Sequence, residues 1–183
     1  MAIWVLLLRG VNVGGTGRLP MAALRALLAQ LGCADVETYI QSGNAVFRAD
    51  RGADDLAEAI GAGIAAEFGF RPAVLLREAG QLAVAVAANP FAQDVQAPKS
   101  PHYFFLAAPA RGADLAELAA LVAPGEAFHL TDTVFYLHAP GGIGRSALAA
   151  RAERLLGVPV TARNLRTVSA LDQMARRLAA TGA

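Results

Sequence analysis

Residues 35–48, Asp35-Val36-Glu37-Thr38-Tyr39-Ile40-Gln41-Ser42-Gly43-Asn44-Ala45-Val46-Phe47-Arg48, decide the fold. Residues 35–40 read as a strand rich in branched and aromatic side chains. Ser42-Gly43-Asn44 is a turn signal, and Ala45-Val46-Phe47 opens a second strand that runs to Arg48. The two strands form a hairpin, and the hairpin sits between two helical patterns. Upstream, the apolar run at 3–8 makes a strand that ends at Arg9, and the loop Gly10–Arg18 follows. Pro20 then opens a helix over 20–31, at a first-turn position where its missing N–H costs nothing. Leu24, Leu27, Leu28 and Leu31 give that helix an apolar stripe, and Gly32 ends it. Downstream, a helix spans 54–68, with Asp54 or Asp55 as its cap. Residues 72–77 return as a strand, so the order is β-α-β-β-α-β.

The order repeats. A short helix over 79–88 leads to Asn89-Pro90-Phe91 and then to the stretch 92–101, which holds Pro98, Pro101 and the chain's one lysine, Lys99. That stretch reads as a linker. Beyond it come a strand at 102–108, a helix at 112–122 broken by Pro124-Gly125, and strands at 126–130 and 133–139. A glycine-rich turn, a helix at 145–156, a short strand at 158–160 and a final helix at 165–180 complete the chain. The expected architecture is α+β: two tandem ferredoxin-like halves, 1–78 and 102–183, joined by 79–101. Each half is expected to hold a mostly antiparallel sheet with helices on one face, the second half carrying a C-terminal helix.

Composition narrows the function classes. Of 183 residues, 55% are hydrophobic and 17% charged, enough apolar surface to exclude intrinsic disorder. Cys33 is the single cysteine, which excludes an internal disulfide framework. No apolar run approaches the ~18 residues of a membrane span. The run at 3–8 lacks a preceding basic residue and is too short for a secretory signal. A cytoplasmic protein is expected, with no membrane partner. Fifteen arginines stand against one lysine, a bias read first as genomic codon usage. Net charge is +1, yet residues 145–183 hold seven arginines and two acids, a +5 segment able to attract phosphates.

Four segments could carry chemistry. The loop Arg9-Gly10-Val11-Asn12-Val13-Gly14-Gly15 exposes backbone N–H groups beside a cation, although its spacing is not that of a dinucleotide fingerprint. Gly141-Gly142-Ile143-Gly144-Arg145-Ser146, between a strand and a helix, resembles a phosphate loop but lacks the Walker spacing and lysine. Thr161–Thr167 places Arg163 and Arg166 around Asn164, a good helix N-cap. Lys99 and His102 flank a strand start, where either could serve as acid–base group or anion ligand. Ser42 and Asn44 belong to the hairpin turn, where Asn satisfies backbone groups. Ser146 reads equally as a helix-start residue. No metal site is expected, because His102, His129 and His138 lack metal-ligand spacing. Tyr103, Phe104 and Phe105 are adjacent on one strand and so alternate faces, which disfavours an RNA-recognition-motif platform.

The residues resemble one family. Leu7-Leu8-Arg9-Gly10-Val11-Asn12-Val13-Gly14-Gly15, Pro20-Met21, and Tyr39–Phe47 are similar to the bacterial family called domain of unknown function 1697. Asn89-Pro90-Phe91, the His102 strand, Gly144-Arg145-Ser146, and Thr161–Asn164 with Arg166-Thr167-Val168 extend the likeness over almost the whole chain. The resemblance implies a compact α/β protein of no established activity. It also implies characteristic polar positions at Arg9, Asn12, Gly14, Gly15, Ser42, Gly43, Asn44, Lys99, His102, Arg145, Ser146, Arg163 and Asn164. Two departures are Ala147, where the family often has Lys, and Leu165, where it often has Trp. The leading expectation is a binding module for a phosphate-bearing ligand, a nucleotide or nucleic acid, with Arg9, Arg145 and Arg163 on the anion and no cofactor. The alternatives are an enzyme on a small phosphorylated or carboxylated substrate, and a structural or oligomeric module.

Overall fold

The computed structural model describes residues 1–15, 17–92 and 101–181. Lys99 and most of the expected linker lie outside the described residues. The chain divides into two compact units. The first comprises Met1–Val84 and Ala170–Ala183, the second Ala85–Ser169.

In the first unit, β1 (Ala2–Arg9) is followed by α1 (Met21–Gln30), β2 (Ala34–Tyr39), β3 (Asn44–Ala49), α2 (Ala53–Phe68) and β4 (Ala73–Glu78). The strands lie in the order β2-β3-β1-β4, every neighbouring pair antiparallel. Alternation along β1 sends Trp4, Leu6 and Leu8 into a core completed by Leu24 and Leu28 of α1 and by Leu56, Ile60 and Ile64 of α2. Val5 and Leu7, on the other face of β1, are buried as well. Two local details differ from the sequence reading. Pro20 is the N-cap of α1, its ψ of 135° still extended, so the helix begins at Met21. The N-cap of α2 is Gly52. Asp54 and Asp55 stand inside the first turn, where they favour the positive end of the helix dipole without capping it.

In the second unit, β5 (Pro101–Leu106), α4 (Leu115–Ala120), β6 (Ala127–Leu130), β7 (Val134–His138), α5 (Ala147–Leu156) and β8 (Val160–Asn164) repeat the order, with strands arranged β6-β7-β5-β8 and again antiparallel. Phe104, Leu106, Phe135 and Leu137 meet Leu118 of α4 and Leu148, Ala152 and Leu156 of α5. Glu117 accepts from Arg154 at 2.8 Å and Arg151 at 3.3 Å, holding α4 to α5. A 3-10 turn (Ile143–Arg145) that the sequence did not announce precedes α5. β8 is longer and later than expected: Thr161–Asn164 are strand, paired in register with Phe105–His102. α3 (Ala79–Ala87) and α6 (Leu165–Ala180) each begin in one unit and end in the other. Among the described residues no helix is long and apolar enough to cross a membrane.

Candidate functional site

The sequence-predicted residues fall into one group in each unit. In the first unit they gather at the end of the sheet where β1 finishes. Arg9 pairs in register with Ala73, and Leu8 N–H donates to the Gly43 carbonyl at 2.9 Å, so the glycine loop and the β2–β3 turn leave the sheet side by side. Asn12 joins them. Its φ of 54° is left-handed, a region Asn enters at low cost. Its Nδ2 donates to Leu19 O at 2.8 Å and to Gln41 O at 2.7 Å, and its Oδ1 accepts from Leu19 N–H at 2.9 Å. The side-chain amide therefore spends its capacity on the loop itself, and Asn12 is a fastener. Asn44, fully buried, has the same use. Its Nδ2 donates to Ser42 Oγ at 2.9 Å and to Tyr39 O at 3.2 Å, closing the hairpin. Arg9, Gly14 and Gly15 remain exposed at this end.

In the second unit the group forms at the end where β5 begins. Pro101 pairs with His138 and His102 with Asn164, so β7 and β8 both finish there. α5 and α6 start from that end, and both helix starts are capped as the sequence suggested. Ser146 Oγ accepts from Ala149 N–H at 3.0 Å and Asn164 Oδ1 from Thr167 N–H at 2.9 Å. Ser146 is buried and His102 is only 8% exposed, whereas Arg145 and Arg166 are exposed.

Arg163 is different. It lies opposite Tyr103 in register, on the sheet face away from His102 and Asn164. Its Nη1 donates to Ala162 O at 2.8 Å. Burial strips water from the guanidinium and pulls its pKa down to about 10. The first unit repeats this arrangement with a residue the sequence reading passed over. Arg77 lies opposite Val5 on the last strand of its sheet, donates Nη1 to Leu76 O at 2.9 Å, and is likewise shifted downward by burial. Only strand register reveals the equivalence, because the flanking residues differ.

Three further features stand apart from these predictions. Asn89 is buried. Its Oδ1 accepts from Phe91 N–H at 2.9 Å, while its Nδ2 has no partner among the described residues. The Phe91 ring lies 5.7 Å from that of His138. A cleft of about 190 Å³ lies between the β5–α4 loop and the β6–β7 turn, lined by Pro109, Ala110, Arg111, Leu130, Thr131 and Asp132. That is the far end of the sheet from His102, and none of the sequence-predicted residues lines it.

One solved structure similar to this chain is that of the conserved bacterial protein SP0830 from Streptococcus pneumoniae. It shares 25% identity at a TM-score of 0.70, over 95% of this chain and 98% of that one. No curated protein matches the chain. The family described as protein of unknown function (DUF1697) matches residues 1–136, which take in both motifs that Asn12 fastens together and the strand that begins beside His102. The chain belongs to that family.

Proposed function

We propose that the protein binds a phosphate-bearing ligand, a nucleotide or a nucleic-acid strand. One observation carries the reading. α5 and α6 both open at the β5-start end of the second sheet, each preceded or entered by an exposed arginine, Arg145 and Arg166, that is in no ion pair among the described residues. Helix N-termini present positive partial charge and unspent N–H groups. With Ser146 and Asn164 occupied as caps, the anion falls to Arg145, Arg166 and the backbone of Gly141–Gly144. The +5 balance of residues 145–183 supports the same sign of partner.

The repeated strand order, with β1 and β2 on either side of β3 in one sheet and β5 and β6 on either side of β7 in the other, supports the finer reading of each sheet as ferredoxin-like. A cytoplasmic setting, where nucleotides and nucleic acids are abundant, fits the proposal.

Fluorescence anisotropy of a labelled single-stranded RNA, titrated at several salt concentrations, tests it. Binding is expected to weaken with salt. Arg145→Ala is expected to lower the slope of log affinity against log salt by about 0.7, the loss of one single-strand phosphate contact. Unchanged binding in Arg145→Ala, or no binding of RNA, mononucleotide or inorganic phosphate by the unaltered protein, overturns the proposal.

A further inference from the structure

The two units differ at one matching place. In each, the loop after the opening strand leaves the sheet beside the turn that joins the next two strands. In the first unit Asn12 ties loop to turn through Gln41 O at 2.7 Å. In the second, among the described residues, no side chain of residues 107–114 bonds to the turn at 131–134. The cleft of about 190 Å³ opens there instead, with Pro109, Ala110 and Arg111 on one lip and Leu130, Thr131 and Asp132 on the other.

Both lips are fixed from behind. Arg111 N–H donates to Pro109 O at 2.9 Å, and Asp114 N–H to Leu155 O at 2.9 Å. Thr131 closes its own turn: its N–H donates to Val134 O at 2.9 Å, and its Oγ1 accepts from Val134 N–H at 3.1 Å. Leu106 N–H donates to Thr133 O at 2.9 Å, joining the two lips at their base. An opening held in this way has its shape before a ligand arrives, which lowers the ordering cost of binding.

Its charges name the ligand. Arg111 and Asp132 are both exposed, one on each lip, and neither is in an ion pair among the described residues. A plain anion is attracted by one lip and repelled by the other, and so is a plain cation. A molecule with both charges is attracted by both lips. The Thr131 hydroxyl is committed to its turn, and Pro109, Ala110 and Leu130 are apolar, so the rest of the wall suits hydrocarbon. The space is that of roughly six waters, below the ~300–1,000 Å³ of sites for larger organic ligands. An aliphatic α-amino acid has this size, these two charges and this apolar group.

We infer that the cleft binds a free aliphatic α-amino acid, its carboxylate on Arg111, its ammonium on Asp132 and its side chain against Leu130 and Pro109. The inference is independent of the phosphate reading, whose residues lie at the opposite end of the sheet.

The test titrates L-leucine into the full-length protein and follows the backbone amides by NMR. Shifts are expected at the lining residues, with an affinity of about millimolar. N-acetylleucine lacks the ammonium and leucinamide lacks the carboxylate, so each should bind about tenfold more weakly, one charged contact fewer. Asp132→Asn should weaken leucine about tenfold without weakening N-acetylleucine. Arg111→Gln should weaken leucine likewise without weakening leucinamide. Both substitutions fall on exposed loop positions, and each variant is its own control because the ligands are compared within it. No shift at the lining residues on adding leucine, or a variant that weakens all three ligands alike, overturns the inference.

Discussion

Asn12 and Gln41 are 29 residues apart in the chain and 2.7 Å apart in space, side-chain Nδ2 to backbone carbonyl. The same amide takes and gives a hydrogen bond with Leu19, so one side chain closes the glycine loop on itself and ties it to the neighbouring turn. Removing it leaves the Leu19 N–H and two carbonyls to find water. Asn12→Gly keeps the left-handed backbone and is expected to cost about 1–2 kcal/mol for the lost bonds. Asn12→Ala adds the left-handed penalty of a Cβ, about 1 kcal/mol more. Chemical denaturation of the pair measures both. Equal stabilities would show that the φ of Asn12 carries no cost.

Gly43 and Gly14 separate crowding from conformation. Both have positive φ, 73° and 62°. A Cβ on Gly43 would lie 2.7 Å from the Leu8 Cβ, whereas one on Gly14 would meet nothing within 4 Å. Gly14→Ala is expected to cost about 1 kcal/mol, from backbone strain alone. Gly43→Ala is expected to cost about 3 kcal/mol or more, because β1 and the turn must also separate. Thermal unfolding of the two variants should rank them in that order.

The two capped helix starts give a control for any binding measurement. Ser146→Ala and Asn164→Ala each delete an N-cap bond and should each lower stability by about 1 kcal/mol. Neither should change the salt slope of RNA affinity, to which Arg145 and Arg166 contribute through their charge. A changed slope in Ser146→Ala at unchanged stability would make the serine a ligand contact instead of a cap.

Two groups of the second unit pull alkaline stability in opposite directions. Tyr136 donates to Ala85 O at 2.8 Å, and burial, helped by Tyr103, pushes its pKa from 10.0 up to about 12. Its folded form keeps the proton longer, so its stabilisation is complete below pH 10 and is lost as pH rises from 10 to 12. Arg163, pulled down to about 10 by burial, is the reverse case, since the unfolded chain holds that proton longer. The cost of its buried charge is present below pH 10 and is relieved as pH climbs above 10. The two slopes, each at most about 1.4 kcal/mol per pH unit, oppose one another. Relative to the unaltered protein, Tyr136→Phe should gain stability between pH 10 and 12 and Arg163→Met should lose it, as followed by urea midpoints. Parallel profiles for all three proteins would mean that neither group titrates differently on folding.

Much of this was legible in the residues. The unbroken apolar run of β1 and the leucine stripe of α1 announced their elements within a residue or two. β8 was not legible, because Thr161-Ala162-Arg163-Asn164 has no apolar alternation. It becomes strand because β5 offers an edge to pair with, a tertiary effect that local pattern does not contain. The site divides in the same way. Ser146 and Asn164 act locally, on N–H groups three residues on, and their spacing declares them. Asn12 acts on a carbonyl 29 residues away, which spacing leaves silent. The left-handed φ of Ile40 was hidden for the opposite reason, since isoleucine is the wrong residue from which to expect it.

The composition of the first unit also sets a schedule. Residues 1–84 leave the ribosome early, but the unit includes Ala170–Ala183, where Leu178 O receives the Arg48 guanidinium and Arg177 reaches Glu37. At ordinary elongation rates the missing segment arrives on the order of ten seconds later. The half that is translated first is therefore the half that is finished last. A nascent chain stalled before Ala170 would present a first sheet still waiting for its final helix, open to chaperones and proteases, while the second sheet already has all of its strands.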